Sequence, residues 1–105
     1  MTHFHLITLF PESVEAYFNA SMLKRAQRDK KIKVSYYNPR DFTKDKHNRV
    51  DRKPFGGGPG MVLEAESVLK AANKAIGRKD KKDVEVIFFS PSGKQFTQAM
   101  AKKLS

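Results

Sequence analysis

The densest run of chemically capable residues is Asn38-Pro39-Arg40-Asp41-Phe42-Thr43-Lys44-Asp45-Lys46-His47, followed by Val50-Asp51 and Pro54-Phe55-Gly56-Gly57-Gly58-Pro59-Gly60-Met61. Gly56, Gly57, Gly58 and Gly60 leave backbone N–H groups without Cβ cover, so a phosphate or a flat ring can come close. Met61 reads as the start of a helix, and a helix N-terminus attracts anions. Arg40 and the basic residues that follow suit a nucleic-acid backbone. His47 can donate to a phosphate or stack on a base. A plain glycine-rich loop with incidental charge fits the same composition equally well. The glycines form no P-loop, because Lys-Ser/Thr does not follow at the required offset. They also miss the dinucleotide fingerprint. Gly58 and Gly60 have its first spacing, but Val62 and Leu63 stand where a further glycine is needed.

The second run is Phe88-Phe89-Ser90-Pro91-Ser92-Gly93. A polar turn at the carboxyl end of a parallel strand is where α/β sheets place ligands. Pro91 fixes the turn, and Gly93 permits a left-handed or close-approach conformation. Side chains alternate along a strand, so one of the two phenylalanines is expected to face a pocket. Both rings being core is the competing reading. His3 and His5 lie two apart on one strand face with no third ligand nearby, and read as surface or edge residues rather than a metal site. Asp41, Asp45 and Asp51 are interleaved with Arg and Lys, which favours salt bridging over metal binding. No metal is expected.

These segments need elements to hold them. Phe4 to Phe10 is a short apolar run closed by Pro11 and reads as a buried strand. Pro11 opens a helix running to about Arg28, with a break near Asn19–Ser21. Ile32 to Tyr37 reads as a second strand, closed by Asn38-Pro39. Arg40 to Gly60 has neither helical nor strand period, and so long a loop is usually functional or mobile. Met61 to Ile76 carries apolar residues at helical spacing, with Gly77 as its cap. Val84 to Phe89 reads as the clearest strand, and a last helix begins near Gln95. Strand–helix alternation of this kind predicts an α/β domain with a mainly parallel sheet and helices on both faces. Three strands make a poor sheet, so the chain is expected to be an incomplete domain.

With 105 residues and 12.0 kDa, only one small domain is possible. Twenty-one Lys+Arg against eleven Asp+Glu leave a net charge of +10, which points to a polyanionic partner such as nucleic acid. No Lys or Arg precedes Lys24, whereas six of the ten residues Lys24 to Lys33 are basic. The group from Arg78 to Lys82 reads equally as a solvated loop. The absence of cysteine excludes disulfide scaffolds and thiolate chemistry. It makes the cytoplasm the expected compartment. No apolar run approaches a membrane span, and the N-terminus carries no signal-peptide pattern.

The motifs Leu9-Phe10-Pro11-Glu12, Asn38 to Thr43, Asp45-Lys46-His47, Val50-Asp51, Gly56 to Met61 and Ser90 to Gly93 occur in fixed order across nearly the whole chain. Together they resemble the TrmD family, bacterial tRNA (guanine-N1)-methyltransferases of the trefoil-knotted SPOUT class. Family members are more than twice as long. The resemblance therefore implies that residues 1–105 are the N-terminal part of the methyltransferase domain, without its C-terminal part or the C-terminal tRNA-binding domain. It implies methyl transfer from S-adenosylmethionine to N1 of the guanine just 3′ of the anticodon, by a homodimer with shared active sites. Phe88, Phe89, Ser90, Pro91 and Gly93 would form the first cofactor-binding loop. Arg40, His47, Asp51, Gly56, Gly57, Gly58 and Gly60 would lie near the tRNA and the dimer seam.

Arg52 and Phe55 replace the usual Asp and Tyr of the family, losing a carboxylate and a hydroxyl. Phe88 replaces a usual Tyr, keeping the ring without its polar end. Guanine N1 carries a proton at neutral pH, so methylation needs a base to remove it and a donor to stabilise charge on O6. The resemblance places that base, an Asp, and its partnering Arg beyond Ser105. No catalytic residue is expected within this chain. Two other readings remain open on the residues themselves. One is a non-enzymatic basic RNA-binding module, and the other a nucleotide-binding α/β protein that uses the glycine loop for phosphate.

Overall fold

A computed structural model describes residues 1–43, 51–52 and 62–105. Strand β1 (Thr2–Ile7) pairs with β2 (Ile32–Tyr37) in parallel, with Thr2 opposite Ile32 and Ile7 opposite Tyr37. Parallel strands cannot be joined by a tight turn, so the chain must cross over between them. Helices α1 (Pro11–Phe18) and α2 (Ser21–Arg28) make that crossover. Pro11 starts α1 as expected, and the break falls at Asn19 and Ala20, with Ser21 at φ 52°. Strand β2 has the bounds its sequence suggests. Strand β1 ends three residues early, because the Phe10 N–H turns back to the Thr8 hydroxyl at 3.1 Å.

After β2, Asn38 caps a 3₁₀ turn over Pro39–Phe42, its side-chain oxygen accepting the Arg40 N–H at 3.0 Å. Two short strands, β3 (Asp51–Arg52) and β4 (Val62–Leu63), then form an antiparallel pair. This corrects the expectation of a structureless segment from Arg40 to Gly60. A ladder of two residues per strand is too short to show a period. Helix α3 (Ala65–Ile76) follows, packed on the 3₁₀ turn and reaching both β1 and β2. It starts at Ala65 rather than Met61, since Val62 and Leu63 are already committed to the ladder. Its cap is Gly77, at φ 60° and ψ −130°, a region essentially closed to residues with a Cβ.

The largest departure lies at Val84 to Phe89. These residues form no strand, and the described residues contain no third neighbour beside β1 or β2. β-propensity is realised only when a partner takes up the backbone N–H and C=O groups. Among the described residues, Ala71 and Ala75 are the buried hydrophobic side chains. The radius of gyration is 16.0 Å, against about 13 Å for a compact domain of this length. Helix α4 (Gln98–Leu104) begins where Thr97 can cap it, accepting the Met100 N–H at 3.2 Å, and not at Gln95.

The two faces of the parallel pair differ. Even-numbered Tyr36 carries a buried hydroxyl and feels Glu15 of α1, which raises its pKa after the larger effect of burial. Odd-numbered His3 and His5 stack with ring centroids 3.8 Å apart, facing Ser35 and Tyr37. The His3 Nε2 is 2.7 Å from the Ser35 hydroxyl, and the His5 Nδ1 is 3.1 Å from the Tyr37 hydroxyl. Both imidazoles are half-buried on an edge strand, in keeping with the surface-or-edge placement expected of them. Strand alternation separates these two sets, with α2 packing on β2 and α3 on both strands.

Partial burial lowers both histidine pKa values, with Lys33 and Lys79 adding to the effect and His3 adding to it at His5. The unfolded chain therefore takes up protons first as pH falls below the ordinary value of 6.5, and the folded form loses stability there. Urea unfolding between pH 7.5 and about 5.5, above the carboxylate range, should show the midpoint falling with acid. A double variant, His3→Asn with His5→Gln, should flatten that dependence. An unchanged slope would remove the two imidazoles as its source.

Candidate functional site

The segment from Ile87 to Met100 folds around a tight turn. Pro91 sets the backbone at its second position, the Gly93 N–H donates to the Ser90 carbonyl at 3.0 Å, and the Ser92 N–H donates to the Ser90 hydroxyl at 3.2 Å. Of the two uses foreseen for Gly93, the structure shows close approach. Its φ is not positive, and a Cβ there would lie 3.2 Å from the Ser90 carbonyl oxygen.

Phe88, Phe89, Ser90 and Gly93 line one concavity of about 130 Å³, together with Ile87, Lys94, Phe96 and Met100. Pro91 holds the turn without lining it. Phe88 is 81% exposed and Phe89 90% exposed, so neither ring is core, and both face the same hollow. The expected division of the two rings fails because alternation requires a laddered strand, and this segment is not laddered. Phe96, Lys94 and Met100 went unforeseen. Their signal was the apolar pair Phe96 and Met100 just past a polar turn, four residues apart and spanning the start of α4.

A nucleotide-sized ligand occupies roughly 300 Å³ or more. The hollow is smaller than that and open, so these residues make one wall of such a site. The wall's chemistry suits a flat, weakly polar ring: exposed aromatic faces, a hydroxyl, and turn backbone close by. Lys94 is the one charged side chain on it.

The second set of expected residues is spread over other elements. Arg40 sits half-buried in the 3₁₀ turn beside fully buried Pro39, on the segment that carries α3. Asp51 is exposed at the start of β3, opposite Leu63. His47, Gly56, Gly57, Gly58 and Gly60 lie outside the described residues, as do Phe55 and Met61. Because β4 precedes α3, the glycine run does not feed directly into a helix N-terminus. Arg52 pairs with Val62 in the β3–β4 ladder. Among the described residues no three His, Asp or Glu side chains gather as a metal site would require. Nor does any helix among them have the length and apolarity to cross a membrane.

The arrangement of parallel strands and crossover helices has a solved counterpart. The crystal structure of tRNA (m1G37) methyltransferase from Aquifex aeolicus superposes on 71% of this chain and 34% of its own, with TM-score 0.65 and 31% identity. That likeness defines the class, an α/β domain of the SPOUT type with a parallel sheet and flanking helices. The family model for tRNA (Guanine-1)-methyltransferase TrmD matches residues 2–105, and the chain belongs to that family. Among curated relatives, the tRNA (guanine-N(1)-)-methyltransferase of Sulfurovum sp. is 44% identical over 97% of this chain and 44% of its own length. The enzyme of the same name from Caldanaerobacter subterraneus is 47% identical over 97% of this chain and 41% of its own. The chain thus spans about two fifths of the length of the curated relatives it matches.

Two glycine variants separate strain from contact. Gly77→Ala, forced to φ 60°, should lower stability by about 1 kcal/mol or more. Gly93→Ala lies in an exposed turn whose carbonyl can shift by a few tenths of an ångström, and should stay within about 0.5 kcal/mol of the parent. Denaturant midpoints of the two variants check the ordering, and the reverse order would contradict these backbone assignments.

Proposed function

We propose that residues 1–105 supply the N-terminal part of an S-adenosylmethionine-dependent methyltransferase domain that modifies N1 of the guanine 3′ of the tRNA anticodon. The observation that carries this reading is the convergence of Phe88, Phe89, Ser90 and Gly93 on one open aromatic wall, in a chain of this family. On this reading the two rings take the adenine face, and the turn presents backbone to the rest of the nucleoside. S-adenosylmethionine, when bound, supplies the transferred methyl group. Arg40 and Asp51, with His47 and the Gly56 to Gly60 run, face the tRNA. The remaining walls and the base that removes the N1 proton come from polypeptide other than these residues.

Homodimerisation belongs to the same proposal. Ile87, Phe88 and Phe89 expose more contiguous apolar surface than an isolated monomer tolerates well, and a partner copy or further chain must cover it. A cytoplasmic location follows from a tRNA substrate and a cysteine-free chain.

Calorimetric titration of S-adenosylmethionine into the 105-residue chain tests the reading. A one-walled site should give no binding tighter than about millimolar, and incubation with tRNA should give no methylated guanine. Micromolar affinity, or any methyl transfer by this chain, would show that the missing walls and base are not needed. Phe89→Ala in a protein of full family length should raise the dissociation constant for the cofactor at least about tenfold, given the area of ring removed. An unchanged constant would take the ring out of the site.

A basic RNA-binding module is the second reading, and the exposed cations of Lys24 to Lys33 favour it. It predicts tRNA binding without cofactor, with affinity falling steeply as salt rises.

A further inference from the structure

A second hollow, about 440 Å³, is lined by Tyr17, Ala20, Ser21, Met22 and Leu23 and shares no lining residue with the Ser90 wall. Tyr17 is 72% exposed at its rim, held edge-on against Phe18 with ring centroids 6.0 Å apart. From this hollow α2 runs into β2, exposing Lys24, Arg25, Arg28, Lys30, Lys31 and Lys33. The one carboxylate in that stretch is Asp29, 3.4 Å from the Arg28 Nε. That pair is too exposed to neutralise the ridge.

Stability alone does not account for this arrangement. Arg25 and Arg28 in the last turn of α2 are favoured by the helix dipole. Lys24 and Arg28 repel each other at i,i+4, and Lys33 lies on a strand. Lys30 is the decisive residue. The Lys31 N–H bonds the Ala26 carbonyl at 2.9 Å, and the Lys30 N–H bonds that of Gln27 at 3.1 Å. This is the helix-ending motif whose left-handed residue is usually glycine. Here that residue is a lysine at φ 57°. A strained backbone holds a cation where glycine would fit better. A lipid surface fits the ridge poorly, because α2 has only eight residues and Met22 is its one strongly exposed large apolar side chain.

We infer that the α2–β2 ridge and the Tyr17 hollow form an RNA contact surface separate from the Ser90 wall. The cations take the sugar-phosphate backbone, and Tyr17 takes one unpaired base on its ring. The inference rests on the RNA-substrate reading above and specifies which face meets the nucleic acid.

The test uses the full chain, a fluorescein-labelled RNA stem-loop, and anisotropy titrations over a range of salt. Lys24→Gln, Arg28→Gln and Lys31→Gln together should weaken binding at least about tenfold and lower the salt slope by about 2. A control with equal charge loss, Arg78→Gln, Lys81→Gln and Lys82→Gln, should cost much less. Equal losses from the two triples would mean diffuse charge attraction and overturn the ridge. Tyr17→Ala should weaken binding at least about fivefold, with Tyr17→Phe near the parent. Parent-like binding by Tyr17→Ala would overturn the stacking. Lys30→Gly should raise the thermal midpoint while weakening RNA binding, an outcome no purely structural role gives. If the parent binds RNA and the ridge triple binds as well as it does, the ridge falls and the substrate reading stands. If the parent binds no RNA, the ridge falls, and the methyltransferase reading is judged by the cofactor titrations above.

Discussion

Parallel pairing of β1 with β2 is the constraint from which the rest of the molecule follows. It forbids a hairpin, so the intervening residues must leave the sheet and return, and α1 with α2 is the route they take. The same pairing aligns His3 and His5 with Ser35 and Tyr37 on one face and Phe4 and Leu6 with Val34 and Tyr36 on the other. Each face then needs its own cover. Helical packing comes from α2 on β2 and from α3 on both strands.

Among the described residues the two strands have no further neighbour. A third strand would take up the backbone groups of Val84 to Phe89 and divide its side chains between two faces. Without one, consecutive rings stay together on one side and stand in solvent. This is why the Ser90 wall is both recognisable and shallow. The aromatic area that would hold a flat ligand is the same area that a packed sheet would partly hide. The exposed aromatic face and the open sheet edge share one source, since none of the described residues ladders with Val84 to Phe89, and whatever supplies a neighbour also sets the depth of the hollow.

The legible parts of the chain are those whose signal is local. Strand β2 is bounded by polar Lys31 and by Asn38-Pro39, and its limits were readable from those residues alone. Pro11 and the Asn19–Ser21 break are likewise matters of one or two backbone preferences. Gly77 was readable because only glycine suits its dihedrals. Val84 to Phe89 misled because its composition reports an appetite for a sheet, whereas forming one depends on residues far away or elsewhere. The β3–β4 ladder was invisible for the opposite reason, since two-residue strands have no pattern to detect. At the site, the Ser90 turn was legible from Pro91 and Gly93, but the contributions of Phe96 and Met100 depend on how the chain folds back after it.

The order of charge along the chain tracks its elements. Residues 1–23 build β1 and α1 and contain no lysine or arginine. Cations begin at Lys24, on the exposed side of α2. Positive charge placed this way draws in any polyanion and speeds encounter, yet it carries no sequence information. On the reading proposed above, discrimination of one guanine among many would have to come from groups with fixed geometry, and Arg40 on its capped 3₁₀ turn and Asp51 on its ladder have backbones held by hydrogen bonds. On that proposal affinity belongs to the α2 ridge and selectivity to the segment between β2 and α3.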